Sequence, residues 1–380
     1  MKMGRGFLCR EYAKDLPAEF NMIFAFFSTG AVLFLLLAML IWPEQTYRGA
    51  QHGLELWATV LVPSLLPFFI ISEILFKIGV VQMFGVLLEP IMRPLFNLPG
   101  AASFVVAMGF TSGFPMGAVL TKRLCAEKQC TISEGERLVA FTNNASPLFI
   151  LVAVAVGMFH HPFLGVILAI SHYLSNIIIG IMLGLRSPRP TPQRKDPSPL
   201  GQRCRRTLME AQKNCPPCGQ LMSDAVKTGI NNICLIGGFV VIFAIIVNLL
   251  KTTSLLTICA YPCKLLLYVT GLAGELATAL ATGFWEMTLG LNSVSLAGVT
   301  IQDQAIIASM LLGWSGLSIQ AQVTGVLAGS GISPRLYYLS RILQGILAGL
   351  ITCVLDQQQE LAFNAYRPRD APLIPYRLPQ

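Results

Sequence analysis

Two stretches of this chain share one spacing. Thr131-Ile132-x-Glu134 followed by Ser146-x-Leu148-x-Ile150 returns as Thr300-Ile301-x-Asp303 followed by Ser315-x-Leu317-x-Ile319, each matched position displaced by 169 residues. Upstream, Ala107-x-Gly109-Phe110 returns as Ala281-x-Gly283-Phe284, displaced by 174 residues, so the copies differ by a short insertion. Two similar halves in a membrane chain point to a transporter, because alternating access needs related bundles rocking about a site at their interface, with broken helices supplying dipoles at mid-membrane.

Composition supplies the membrane. Of 380 residues, 54% are hydrophobic and 12% charged, with a mean hydropathy of +0.64, against roughly 25% charge in a soluble domain. Met22 to Trp42 is a continuous apolar run of about the 20 residues that cross ~30 Å of hydrocarbon. It is long for a signal-peptide core and is read as a retained helix. Further apolar stretches cover 54–79, 138–159, 162–184, 228–250, 304–327 and 334–355, giving seven candidate spans.

The net charge of +8 invites a nucleic-acid reading, which its placement opposes. Arg186, Arg189, Arg194, Lys195, Arg203, Arg205, Arg206 and Lys213 face only Asp196 and Glu210 in one segment beside a span. The positive-inside bias puts such a loop, and the basic N-terminus, in the cytoplasm. Contact with anionic lipid head groups is a second use of the same charge. Seven prolines between Pro188 and Pro217 predict an extended linker. The expected organisation is a cytoplasmic N-terminus (1–21), a first helix and loop (22–53), repeat 1 (54–184), a basic connector (185–227), repeat 2 (228–355) and a tail (356–380).

Within each half, residues 80–98 and 254–271 carry prolines and charges that suit an interfacial helix better than a span. The Gly-rich stretches 101–120 and 274–299 are expected to form re-entrant hairpins, since irregular backbone survives at membrane depth only against protein or a cavity. Three crossings per half is an odd number, so the second half is expected to be inverted. The fold expected is an all-α polytopic membrane protein of two inverted repeats, each with a re-entrant hairpin and a broken transmembrane helix.

The chemistry gathers at the interruptions. Gly109-Phe-Thr-Ser-Gly-Phe-Pro-Met-Gly117 sets Thr111 and Ser112 among residues that let backbone approach a ligand; a glycine-lined helix crossing is the structural alternative. Ser133-Glu-Gly-Glu136 reads as a capping box, and the helix after it meets Asn143-Asn144-Ala145-Ser146-Pro147, where proline frees carbonyls in a dry environment. These polar groups face substrate, water or an inter-helix clamp. Glu286, in Gly283-Phe-Trp-Glu-Met-Thr288, is an intramembrane acid and so a functional candidate. It is open to accepting a hydrogen bond from substrate, binding a coupling cation (Na⁺ or H⁺), or an ion pair with Lys264 or Arg93. Ser315, Ser318 and Gln320 complete the set. Glu275 is placed at the membrane edge. Ten cysteines in apolar or cytoplasmic positions predict no disulfide framework, and Cys215-Pro-Pro-Cys218 lacks the context of a redox or metal motif. No HExxH, GxSxG or P-loop is present, so no enzyme, catalytic residue or metal site is expected.

Gly109-Phe-Thr-Ser-Gly-Phe-Pro-Met-Gly-Ala118, Ser146-Pro-Leu-Phe-Ile150 with Val154-Ala-Val-Gly-Met158, and Gly316-Leu-Ser-Ile-Gln-Ala-Gln322 resemble the YlbJ family of sporulation integral membrane proteins. That family lies within the nucleoside-recognition or gate group related to concentrative nucleoside transporters, and the resemblance covers most of residues 22 to 355. It implies paired hairpins and broken helices, residence in the cell or outer forespore membrane of a spore-forming bacterium, and movement of dipicolinate toward the spore core. It also implies that Thr111, Ser112, Asn143, Asn144, Ser146, Glu286, Ser315, Ser318 and Gln320 hold the substrate. The basic connector and Cys215-Pro-Pro-Cys218 fall outside the family's pattern. Two readings stand beside it, a nucleoside or nucleobase permease and a non-transporting sporulation scaffold recruiting through residues 186–222. Assembly with further copies of the chain stays open.

Overall fold

A computed structural model describes residues 18–187, 198–213 and 215–366; the expectations for residues 1–17, for 188–197 of the connector and for 367–380 lie outside these. The described residues hold helices and no strands. After α1 (Ala18–Ile41), the first half runs α2 (Pro43–Leu56), a π-helical turn (Trp57–Leu61) and α3 (Val62–Lys77) without interruption. Then come α4 (Val80–Phe96), the hairpin α5 (Ala102–Ser112) and α6 (Met116–Ala126), α7 (Ile132–Thr142), a π-helical segment (Phe149–Met158) and α8 (Pro162–Leu185). The connector forms α9 (Leu200–Lys213). The second half repeats the order: α10 (Cys218–Thr252), α11 (Leu255–Thr270), the hairpin α12 (Ala277–Trp285) and α13 (Met287–Ser295), α14 (Ile301–Trp314), α15 (Gly316–Leu327) and α16 (Arg335–Tyr366).

Among the described residues four helices are long and apolar enough to cross a membrane, Pro162–Leu185, Cys218–Thr252, Ile301–Leu327 and Arg335–Leu355, or five if the pair Thr29–Ile41 and Pro43–Leu61, bent by 103°, makes one span. The stretch 138–159, expected as one broken crossing, is parted into two short pieces by Asn143–Ser146. The stretch expected to open repeat 1 at residue 54 starts at Pro43, because Trp42 ends α1 and proline suits the first helical turn. α2 to α3 thereby matches its counterpart α10 of 35 residues.

These counterparts pack against each other with opposite direction. Gly49 and Gly53 bring backbone against Ala244, Ile245 and Asn248, Trp57 Nε1 donates to Ile233 O at 2.8 Å, and Gly229 lies on Leu66 and Ile70. As numbers rise along one helix they fall along the other. α8 and α16 repeat the pattern, with Asn176 joined to Arg341, His172 to Gln344 and Ser171 to Thr352.

The connector corrects the linker expectation. Between Pro199 and Asn214 there is no proline to interrupt a helix, so α9 forms and packs on α4, with Ala211 against Gly79. Cys215-Pro-Pro-Cys218 is the N-terminal start of α10, with Pro217 as its cap. The capping box lies at Thr131–Glu134 rather than Ser133–Glu136: Thr131 Oγ1 accepts from Glu134 N at 3.2 Å and Glu134 Oε2 accepts from Thr131 N at 2.8 Å. Glu136 instead accepts from Ser333 N at 3.1 Å, across the halves. Thr300 caps α14 through Asp303 N in the matching place. The nine described cysteines are free.

Candidate functional site

Each half ties its hairpin to its own helix break. In the first, the hairpin turns at Gly113 (φ +79°), whose missing side chain leaves room for Ser146. Asn143 Oδ1 accepts from Ala118 N at 2.9 Å, near the start of α6. In the second, Glu286 forms the turn and caps α13 by accepting from Leu289 N at 2.7 Å. Gly316 sits against the Met287 backbone, and Trp314 Nε1 donates to Phe284 O at 3.0 Å while their rings stack at 5.1 Å.

Both tips and the first break meet on one cavity of ≈ 50 Å³. Ser112, Gly113 and Phe114 line it from hairpin 1, Ala145, Ser146 and Phe149 from the break, Glu286, Met287 and Thr288 from hairpin 2, and Ile319 and Gln322 from α15, with apolar walls from Leu61, Leu65, Phe69 and Val240. It is mostly apolar with a few convergent polar groups, the usual build of a small-molecule site. Glu286 is 1% exposed, so its carboxylate faces the cavity without bulk water. It caps a helix rather than pairing with Lys264 or Arg93, and Glu275 is exposed on the turn before α12.

Of the residues expected at the site, Ser112, Ser146 and Glu286 line this cavity. Thr111 does not: it is exposed, borders an apolar cavity with Leu88, Leu95 and Phe110, and gives its hydroxyl to Ala107 O at 2.8 Å. Asn143 and Asn144 are fully buried away from it, their amides donating to Val139 O and Phe141 O, so they act as the clamp that closes the end of α7. Ser315 takes a left-handed conformation (φ 70°) and donates to Leu312 O at 3.3 Å, and Gln320 Nε2 donates to Trp314 O at 3.1 Å; both serve the second break and do not line the cavity. Ser318 is 1% exposed and its hydroxyl has no partner among the described residues.

The residues that hold the first break in place come from elsewhere. Arg341 of α16, fully buried, donates to Ala140 O at 2.6 Å, Asn143 O at 2.9 Å and Asn176 Oδ1 at 3.2 Å, with its guanidinium 5.2 Å from the Tyr337 ring centre. His172 Nε2 accepts from Ala145 N at 3.1 Å, Tyr173 donates to Ala145 O at 2.9 Å, and Gln344 bonds His172 at 3.3 Å. Arg341 lies inside a span identified from sequence and stands at the same 169-residue offset from His172 as the repeat itself. A charge inside an apolar helix was a signal that could have found it, and the sequence reading passed it over. Thr288 and Gln322 carried no such signal, and only the fold brings them to the cavity.

This architecture is that of a membrane transporter. The nucleoside recognition family, Gate, matches residues 58–176, and the structure of CNTnw, a concentrative nucleoside transporter, in an inward-facing substrate-bound state shares the fold with a TM-score of 0.55 over 85% of this chain and 87% of that one, at 14% identity. The chain belongs to the YlbJ family of sporulation integral membrane proteins: it is 39% identical to the Bacillus subtilis (strain 168) member over 334 residues, 85% of this chain and 80% of that protein. It is also 26% identical, over 43% of its length and 35% of the relative's, to an uncharacterised protein of Alkalihalophilus pseudofirmus. It is thus an integral multi-pass membrane protein.

Proposed function

We propose that this protein is a carrier for a small carboxylate anion, dipicolinate, across the outer forespore membrane. The observation that carries the reading is the convergence of two hairpin tips and a helix break on one cavity. Antiparallel packing of α2–α3 on α10, and of α8 on α16, supports inverted halves that rock about that cavity. The break supports the anion: Ser146, whose Oγ accepts from Phe149 N at 3.2 Å at the start of the Phe149–Met158 segment, borders the cavity and can donate its hydroxyl proton to a carboxylate at a helix N-terminus, which favours anions. Arg341 covers the opposite, negative pole at the end of α7. Glu286 would repel a dianion unless it carries a cation, so it is the seat of the coupling ion, H⁺ or Na⁺.

The test is dipicolinate flux in proteoliposomes under imposed Na⁺ and proton gradients, with uridine run in parallel. Dipicolinate flux driven by one gradient, with coupling lost in Glu286→Gln, is the expected result. Uridine flux without dipicolinate flux transfers the assignment to the nucleoside permease, a reading favoured by the family's nucleoside-recognition description and by acceptor groups on Glu286 and Gln322 that suit ribose hydroxyls. In cells, spores of a clean deletion should lack dipicolinate while the mother cell still makes it. Deleting residues 188–213 separates carrier from scaffold, since a carrier keeps its flux.

A further inference from the structure

A second, small cavity, ≈ 30 Å³, about the size of one carboxylate group, opens where α2, α10 and hairpin 2 meet. Arg48, His52 and Lys251 border it beside Asn248, Thr282 and Ser293, and no acidic residue lines it. Thr282 makes it more than a basic surface. It is 1% exposed, it faces this cavity, and its hydroxyl has no partner among the described residues. Helical threonines in this chain ordinarily donate to the carbonyl one turn back, as Thr59, Thr121, Thr252 and Thr324 do. Thr282 does not, and a buried hydroxyl left without a partner calls for one. Arg48 holds Glu44 in an exposed, solvent-screened pair on its own helix, which an incoming anion can displace.

The position matters as much as the charge. Thr282 O accepts from Glu286 N at 2.9 Å, and Leu289, which also borders the second cavity, donates from its amide to the Glu286 carboxylate. The two cavities are therefore separated by the single turn that forms the hairpin tip.

We propose that this second cavity, at the end of α10 away from the connector, is a release-side station for an oxyanion, the carboxylate of the transported solute, held by Arg48, Lys251 and the Thr282 hydroxyl after it passes the hairpin tip. Its use in transport rests on the carrier reading above; its binding chemistry does not. A lipid phosphate shares that chemistry, but a polar recess ending on the turn that bears Glu286 favours a solute.

The test reads the site without transport. Ser293, which gives its hydroxyl to Leu289 O on its own helix, is changed to Cys in the full chain, held in phosphatidylcholine nanodiscs. Reaction rates with an anionic and a neutral methanethiosulfonate are compared, the unsubstituted chain giving the background of the native cysteines. The anionic reagent should react at least ~10-fold faster than the neutral one, through local enrichment of anions. That advantage should vanish in Arg48→Gln/Lys251→Gln and at 1 M salt, where screening length falls to ~3 Å. Dipicolinate and benzene-1,3-dicarboxylate, an analogue without the ring nitrogen, should both slow the reaction, and Thr282→Val, which keeps shape and fold, should raise the concentration needed ~10-fold. Equal rates for the two reagents, or no protection by either dicarboxylate, would overturn the proposal. Protection that appears only with phosphatidylglycerol in the nanodisc assigns the site to lipid and overturns it as well. Protection without dipicolinate flux sinks the carrier reading and leaves the site standing; flux without protection does the reverse.

Discussion

Arg341→Met tests what holds the first helix break open. The guanidinium bonds Ala140 O, Asn143 O and Asn176 Oδ1 from a fully buried position. Both backbone carbonyls belong to the end of α7, where Pro147 and the non-helical Asn143–Ser146 remove the amides that would otherwise satisfy them. Methionine fills similar space but leaves these acceptors bare, at ~1–3 kcal/mol each, a loss of roughly 2–6 kcal/mol. Against this, removing a buried cation relieves a desolvation cost that amounts to several kcal/mol per ion, and inter-helix hydrogen bonds in membranes average nearer ~0.6 kcal/mol. The carbonyl loss wins because the asparagine amides and Tyr173 serve Val139 O, Phe141 O and Ala145 O and leave Ala140 O and Asn143 O to Arg341, and the expected net destabilisation is about 2 kcal/mol. At ~2–4 °C per kcal/mol this lowers the melting midpoint in detergent by roughly 4–8 °C, with Arg341→Lys between the two because it keeps the charge but not the forked geometry. A Cys introduced at Ser146 should react faster in the methionine variant. A midpoint at or above wild type for Arg341→Met, with unchanged reactivity at 146, would refute the claim that this side chain pins the break.

Three further outcomes are expected. Ser112→Ala and Ser146→Ala should each raise the half-saturating dipicolinate concentration about ten-fold, the value of one charge-assisted hydrogen bond of ~1.5–3 kcal/mol, whereas Ser315→Ala, off the cavity, should leave it unchanged; flux against concentration separates them. Gly109→Ala puts a methyl group onto the Thr142 carbonyl, so overpacking of ~1–3 kcal/mol should lower the melting midpoint while Gly325→Ala, with open space around it, does not. Single-cysteine labelling from either side should find Gln202 in the cytoplasm and Gln358 outside; both on one side would leave a parallel duplication instead of inverted halves.

The hairpins and the breaks were legible because each leaves a local mark, Gly113 at a tip and Pro147 after a break, whereas Thr131 and Thr300 marked the repeat without being read as the caps they are. What sequence could not give was the direction in which a polar side chain points once its helix is packed. Asn143 and Ser146 are three residues apart, yet the first turns to Ala118 N and the second to the cavity. The 169-residue offset likewise matched Ser146 with Ser315 but did not carry their conformations, since Ser146 caps a helix that begins at Pro147, whereas Ser315 sits in a left-handed kink that lets α15 follow α14 directly. Gln322 reached the cavity unannounced because the polar residues of α15, Ser318, Gln320, Gln322 and Thr324, fall at every second position and so mark no single helical face.

That difference between the breaks bears on how the halves divide the work. The first break is bound by polar contacts to α16 of the other half, through Arg341, and to α8, through His172 and Tyr173. The second is held to its own hairpin by an aromatic stack and one indole hydrogen bond, Phe284 with Trp314. Hydrogen bonds to a buried cation are directional and forfeit their worth when displaced, whereas stacked rings slide over one another at little cost. Hairpin 2 also carries the unpartnered Thr282 hydroxyl and Trp285 Nε1, groups whose present surroundings leave them unsatisfied and which gain by a shift that brings donors or acceptors near. The 169-residue offset thus pairs a break at Ser146 held by directional bonds across the halves with one at Ser315 held to its own hairpin by stacked rings, so in the proposed carrier the second side is the one expected to yield while the first keeps the ligand surface fixed.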